Sequence, residues 1–230
     1  MTDALEALVG RVAALDRRCA QLSDNGTLAL YRRCVGEEAV LAATASAAAP
    51  QDWLFVGEKL NVAALHRGVP VPVLLRAVDD PTAAAAVAAV KVVACTQGPA
   101  TRLSHAAGLA WAARKDGVVA WADLGDGAIS DGDVHCGLNF AAVLGAPVVF
   151  VVRAESPIAP RAEGWGAHAL TVDGRDARAT LAALKEARAH AAAGHGPVLV
   201  EARVDRSRTS ANAAWIAAHE DALANEAPLT

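Results

Sequence analysis

The residues best suited to chemistry are Gly125-Asp126-Gly127-Ala128, which follow the apolar run 117–124 and precede a helical stretch opening near Asp133. In that order a carboxylate is held between two glycines at the end of a strand. Glycines there let a diphosphate approach the backbone, and an aspartate can hold a hard cation such as Mg²⁺. A plain turn is the other reading of the same four residues. No Ser-His-Asp order, HExxH pair or P-loop is present, and Glu163-Gly164-Trp165-Gly166 makes no dinucleotide fingerprint. Trp165 reads as a packing residue. His66, His168, His190 and His195 read as surface or element-end residues. His105 is open between hydrogen bonding and burial, and His135 between fixing a helix start and catalysis. The catalytic residues are unknown from sequence alone.

These residues need a frame. Apolar runs at 90–96, 117–124, 148–152, 169–172 and 197–204 read as strands, with helical stretches at 101–115, 133–144, 176–193 and 211–225 between and after them. Such alternation predicts a mostly parallel sheet with helices on both faces, whose ligands bind at the carboxyl ends of the strands. PTAAAAVAAV at 81–90 reads as a helix feeding a strand. Near the N-terminus, Leu5, Leu8, Val12, Leu15, Cys19 and Leu22 recur every three or four residues, so residues 1–24 form a helix with one apolar seam, ending before Asn25-Gly26. That seam packs either on its own domain or partly on another subunit. The whole chain, 1–230, is expected to be one α/β domain with a helical tail at 207–230.

The 230 residues are 54% hydrophobic and 4% aromatic, a composition suited to close packing of small side chains. With 25 acidic against 21 basic residues and a net charge of -4, neither nucleic-acid binding nor a polybasic membrane patch is expected. The apolar run 82–93 is interrupted by Lys91 and too short for a bilayer, and the first residues lack a signal-peptide layout. A cytoplasmic protein is expected. Cys19, Cys34, Cys95 and Cys136 have no CxxC spacing and read as buried, reduced thiols.

The stretch GDGAISDGDVHCGLNFAAVLGAPVVFVVRAES resembles the thiamine-diphosphate motif of the alpha subunit of 2-oxoacid dehydrogenases, particularly the branched-chain (2-oxoisovalerate) type. LALYRRCVGEEAV, DWLFVGEKLNVAALHRGVP, TQGPATRLSHAAGLAWA, VDGRDARAT and GPVLVEARVDR are similar to further family segments in the family's order, so the resemblance runs from about residue 8 to 206. It implies a thiamine-diphosphate-binding fold, thiamine diphosphate and Mg²⁺ as cofactors, and a beta-type subunit as partner. It also implies a homo- or hetero-oligomer that passes an acyl group to a lipoyl-bearing acyltransferase. Carried over residue by residue, it places the cofactor on Lys59, Gly125, Asp126, Gly127, Ala128 and Arg153. The metal falls to Asp126, Glu155 and the carbonyl of Pro157.

The departures fall on the chemistry. Where the family has Tyr-Arg on the diphosphate, this chain has Glu58-Lys59, and where the family closes on Asn-Asn it has Ala154-Glu155. Two histidine-bearing loops of the family, expected between residues 68 and 90 and after Arg206, contain no histidine, and the helical His219 is a poor replacement. Two readings follow: an alpha-type subunit that takes part in oxidative decarboxylation of a 2-oxoacid, or a catalytically degenerate alpha-like chain acting as a scaffold, assembly or regulatory subunit. A small-ligand-binding α/β protein outside thiamine chemistry is the third.

Overall fold

A computed structural model describes residues 2–28, 31–57, 61–77, 80–94 and 98–225. Glu58, Lys59 and Cys95 lie outside the described residues. In chain order the elements are α1 (Thr2–Asp24), α2 (Glu38–Ala47), β1 (Trp53–Val56), α3 (Val62–His66), α4 (Val71–Arg76), α5 (Pro81–Ala89) and β2 (Val92–Ala94). There follow α6 (Thr101–Ala112), β3 (Ala120–Gly125), α7 (Gly132–Val143), β4 (Val148–Ala154), β5 (His168–Asp173), α8 (Ala177–Ala192), β6 (Val198–Arg203) and α9 (Ala213–Asn225).

The sheet runs β2-β1-β3-β4-β6-β5 and every pairing in it is parallel. All seven residues of β4 are buried, as a central strand covered on both faces must be. The pleat sends alternate residues to two cores. Trp121, Val149 and Val151 join α1, α2, α3 and α8 on one face, while Ala122, Leu124, Phe150 and Val152 join α6 and α7 on the other. Helices α6 and α7 approach closely because Gly137 has no side chain: a Cβ there would lie 2.6 Å from Leu103 Cβ.

The α1 seam from Leu5 to Leu22 is buried as the periodicity predicts, and α1 packs on α9 and α2 of its own chain. Sequence reasoning did not assign β1 or α2–α4: β1 has four residues, α3 and α4 have five and six, and the ten-residue, alanine-rich α2 is buried nearly all round, so none shows a one-sided period. The strand expected at 90–96 starts only at Val92, because Val90 and Lys91, the latter at φ 58°, close the preceding helix. Likewise Gly117 takes a left-handed conformation (φ 68°) after a 3₁₀ turn, so β3 begins at Ala120.

Cys19 and Cys34 are buried free thiols, and burial pushes Cys19 up to about 12. Cys136 departs from expectation: it is exposed, because α7 buries Val134, Gly137, Leu138 and Ala141 and turns position 136 outward. Among the described residues no helix is long and apolar enough to cross a membrane.

Candidate functional site

From β1 the chain pairs outward to β2 and then returns to the other side at β3, so strand order reverses between β1 and β3. A crevice forms at such a switch point beyond the carboxyl ends of the strands. Gly57, just past β1, donates its N–H to Asp123 Oδ1 at 3.0 Å across that point. The parallel register sets Gly125 of β3 beside Arg153 of β4, so the two ends of the Gly125–Glu155 segment meet although some thirty residues separate them. Asp126 opens a 3₁₀ turn that ends at Ala128, and its Oδ2 accepts the N–H of Glu155 at 2.9 Å.

Below this rim lies a buried charge cluster. Arg153 donates to Asp123, and Arg102 Nη1, from the first turn of α6, donates to Asp123 Oδ1 at 3.1 Å. Arg153 Nε lies 2.9 Å from Glu37 Oε2, an ion pair in distance without hydrogen-bond alignment. Burial acts to raise the Asp123 pKa, but the charges of Arg153 and Arg102 and the hydrogen bonds from Arg153 and Gly57 outweigh it and hold the carboxyl below its ordinary value. Burial also opposes the charge on Arg153, and Asp123 and Glu37 overcome it, so its pKa is raised.

Arg206 joins this cluster to the rim. Its Nε donates to buried Glu37 Oε1 at 2.7 Å, and its Nη2 donates to the Arg153 carbonyl at 3.0 Å. One nitrogen, Nη1, lies 3.1 Å from Asp126 Oδ1 and 3.2 Å from Glu155 Oε2, and the Arg206 N–H donates to Glu155 Oε1 at 3.2 Å. Burial works against the charged guanidinium, yet hydrogen bonding to Glu37 and the charges of Glu37 and Asp126 raise its pKa.

Of the site residues expected from sequence, Gly125, Asp126, Gly127, Ala128 and Glu155 therefore stand together at the ends of β3 and β4. A Cβ on Gly127 would meet nothing within 4 Å, so its backbone faces open space. Arg153 is in the same neighbourhood but is turned into the protein, with its guanidinium on Asp123 and Glu37. Pro157 follows in the loop after β4, next to Ile158, whose N–H donates to buried Glu201.

The donor set does not fit a divalent metal as it stands. Mg²⁺ needs oxygens at about 2.0–2.1 Å in a near-octahedral shell, whereas Asp126 and Glu155 already share a guanidinium nitrogen. Among the described residues no group of three or more His, Cys, Asp or Glu side chains could hold a metal ion. Among the described residues this cluster holds four carboxylates, Glu37, Asp123, Asp126 and Glu155, and three guanidiniums, Arg102, Arg153 and Arg206.

Sequence reasoning missed Glu37, Arg102 and Asp123 and named Arg206 only as the residue closing the family-like segment GPVLVEARVDR. A signal existed, since Asp123 interrupts the apolar run GVVAWADL and Glu37-Glu38 open an alanine-rich helix. Charges in such runs are buried only with partners. Among the histidines, His135 Nδ1 accepts from Trp165 Nε1 at 2.8 Å, which ties α7 to the loop after β4. His105 is exposed on α6, and His219 Nδ1 lies 2.7 Å from the Trp215 carbonyl on its own helix.

Fold and site together define an α/β protein with a cluster of charged residues at the switch point of a parallel sheet, where the strand ends of such sheets take ligands. The family model described as Dehydrogenase E1 component matches residues 7–209, and the chain belongs to that family. A 3-methyl-2-oxobutanoate dehydrogenase subunit alpha of Mycobacterium tuberculosis (strain CDC 1551 / Oshkosh) is 38% identical over 212 residues, covering 82% of this chain and 56% of its own. A pyruvate dehydrogenase E1 component subunit alpha of Staphylococcus aureus (strain Mu50 / ATCC 700699) is 30% identical over 210 residues, covering 81% and 55%. The chain thus spans about half the length of the curated relatives it matches. A solved benzoylformate decarboxylase from Polynucleobacter necessarius aligns over 70% of this chain and 32% of its own, with 18% identity and a TM-score of 0.46.

Proposed function

We propose that this chain is the alpha-type half of a thiamine-diphosphate-dependent 2-oxoacid dehydrogenase of the branched-chain type. It works as one α/β domain in the cytoplasm beside a beta-type subunit and delivers acyl groups to a lipoyl-bearing acyltransferase. The observation that carries this reading is the register of β3 on β4, which closes the two ends of the family's motif on one another at the crevice. The 38% identity to a 3-methyl-2-oxobutanoate dehydrogenase alpha subunit supports the branched-chain substrate class. In this reading the cofactor supplies the carbanion-stabilising chemistry, and Gly125, Gly127 and Ala128 form the backbone rim it approaches.

A second reading, a degenerate alpha-like chain that serves assembly or regulation, is favoured by the Arg206 guanidinium between Asp126 and Glu155. Co-expression with a beta-type subunit separates the two. Purification as a complex, with 3-methyl-2-oxobutanoate decarboxylated in the presence of thiamine diphosphate and an artificial electron acceptor, is the expected result. A complex without turnover leaves the second reading, and no complex overturns both.

A further inference from the structure

We propose that Arg206 is the built-in cation of this crevice: its guanidinium takes the place between Asp126 and Glu155 that a divalent metal would need, so the site binds none. The inference rests on reading the crevice as the family's cofactor site, but not on turnover.

Nη1 stands nearly equidistant from the two rim carboxylates, at 3.1 and 3.2 Å, where a bridging cation would lie. On an exposed surface such a pair would be weak and easily displaced, and Glu155 is half exposed. Arg206 is different because its other nitrogens are anchored inward, Nε on fully buried Glu37 and Nη2 on the Arg153 carbonyl. Swinging the side chain out to admit a metal would leave Glu37 with one fewer counter-charge in the interior, which is expensive.

The backbone is pinned as well. Gly36 has φ +79°, and a Cβ there would lie 2.0 Å from the Asp205 carbonyl oxygen, so the 205–206 segment rests directly on the loop that carries Glu37. Electrostatics points the same way. Among the described residues four carboxylates face three guanidiniums, and without Arg206 two guanidiniums would be left against the four. A divalent ion would have to displace or repel the nearest guanidinium. The cation is therefore supplied by the chain, and metal affinity at Asp126 and Glu155 is suppressed by a side chain that is itself held by buried groups.

The test uses the full chain and Mn²⁺ alone, with bound ion followed by loss of the free Mn²⁺ electron paramagnetic resonance signal. Wild type should show no stoichiometric binding. Arg206→Ala should acquire one site, tighter by about tenfold or more, and Asp126→Asn in that background should abolish it. One Mn²⁺ bound by wild type and lost on Asp126→Asn would overturn the proposal, as would a folded Arg206→Ala that gains no site. Should Arg206→Ala fail to fold, Arg206→Gln keeps a planar polar group against Glu37 without the charge. It carries the same expectation: a gained site supports the proposal and no gain overturns it. Wild-type melting temperature should also be unmoved by millimolar Mg²⁺. A stabilisation that vanishes in Asp126→Asn would contradict the proposal. These readouts do not depend on turnover, so failure of the enzymatic reading in the alpha–beta assay is distinguishable from failure here.

Discussion

Asp123 is the residue on which the interior of the site turns, since Arg153 and Arg102 both donate to it and Gly57 caps it from β1. Removing its charge leaves two guanidiniums in the interior with less to neutralise them. Asp123→Asn is therefore expected to lose about 3–5 kcal/mol, read from urea unfolding at neutral pH. The pH dependence follows from the direction of its shift. Its native pKa lies below the ordinary 3.8, so its contribution is complete above about pH 4 and fades as pH falls through the lowered native value. Wild type should lose stability steeply there, and the asparagine variant should show a shallower acid limb. A variant with unchanged stability and an unchanged acid limb would contradict the role given to this aspartate. Asp126, between two glycines at a strand end, was legible from the sequence. Asp123, three residues earlier, was not, because its partners Arg102 and Arg153 lie 21 and 30 residues away on other elements, which leaves no local pattern.

Elements set where those residues meet. The helix seam of α1 and the alternation of strands and helices from β3 onward were legible, because each repeats a period over enough residues to outweigh chance. β1 is four residues long, yet it lines the switch point, and α2 carries Glu38, bound to Thr209 and Ser210, just after Glu37. Short elements of this kind are specified by what they pack against. The turn at Gly36 shows how tightly. Gly26 and Gly36 have nearly the same φ, +77° and +79°, but a Cβ on Gly26 meets nothing within 4 Å whereas one on Gly36 collides with the Asp205 backbone. Gly26→Ala should lose about 1 kcal/mol for the left-handed conformation alone. Gly36→Ala should lose at least about 2 kcal/mol more, since backbone must move. Thermal unfolding of the two variants measures the difference, and equal losses would mean that the 205–206 segment is not braced on this loop.

For the molecule as a whole, the parallel sheet and its two cores place the charged crevice at the edge of a well-packed interior, and the alanine-rich composition fits the close helix approach seen at Gly137. What composition could not show is the sign of the balance inside the crevice. A chain with a net charge of -4 gathers, among its described residues, four carboxylates and three guanidiniums at one spot, and only the fold brings Glu37, Asp126, Glu155 and Arg206 within reach of one another. The family's motif was readable, while the replacement of its metal by an arginine was not, because Arg206 lies 51 residues beyond Glu155 in the chain. The most direct measurement is a crystal structure of the full chain soaked with Mn²⁺ and thiamine diphosphate, with data collected for manganese anomalous scattering. The expected map has no anomalous peak between Asp126 and Glu155 and shows the Arg206 guanidinium there, still bound to Glu37. A manganese peak coordinated by Asp126, with Arg206 swung away, would contradict the account.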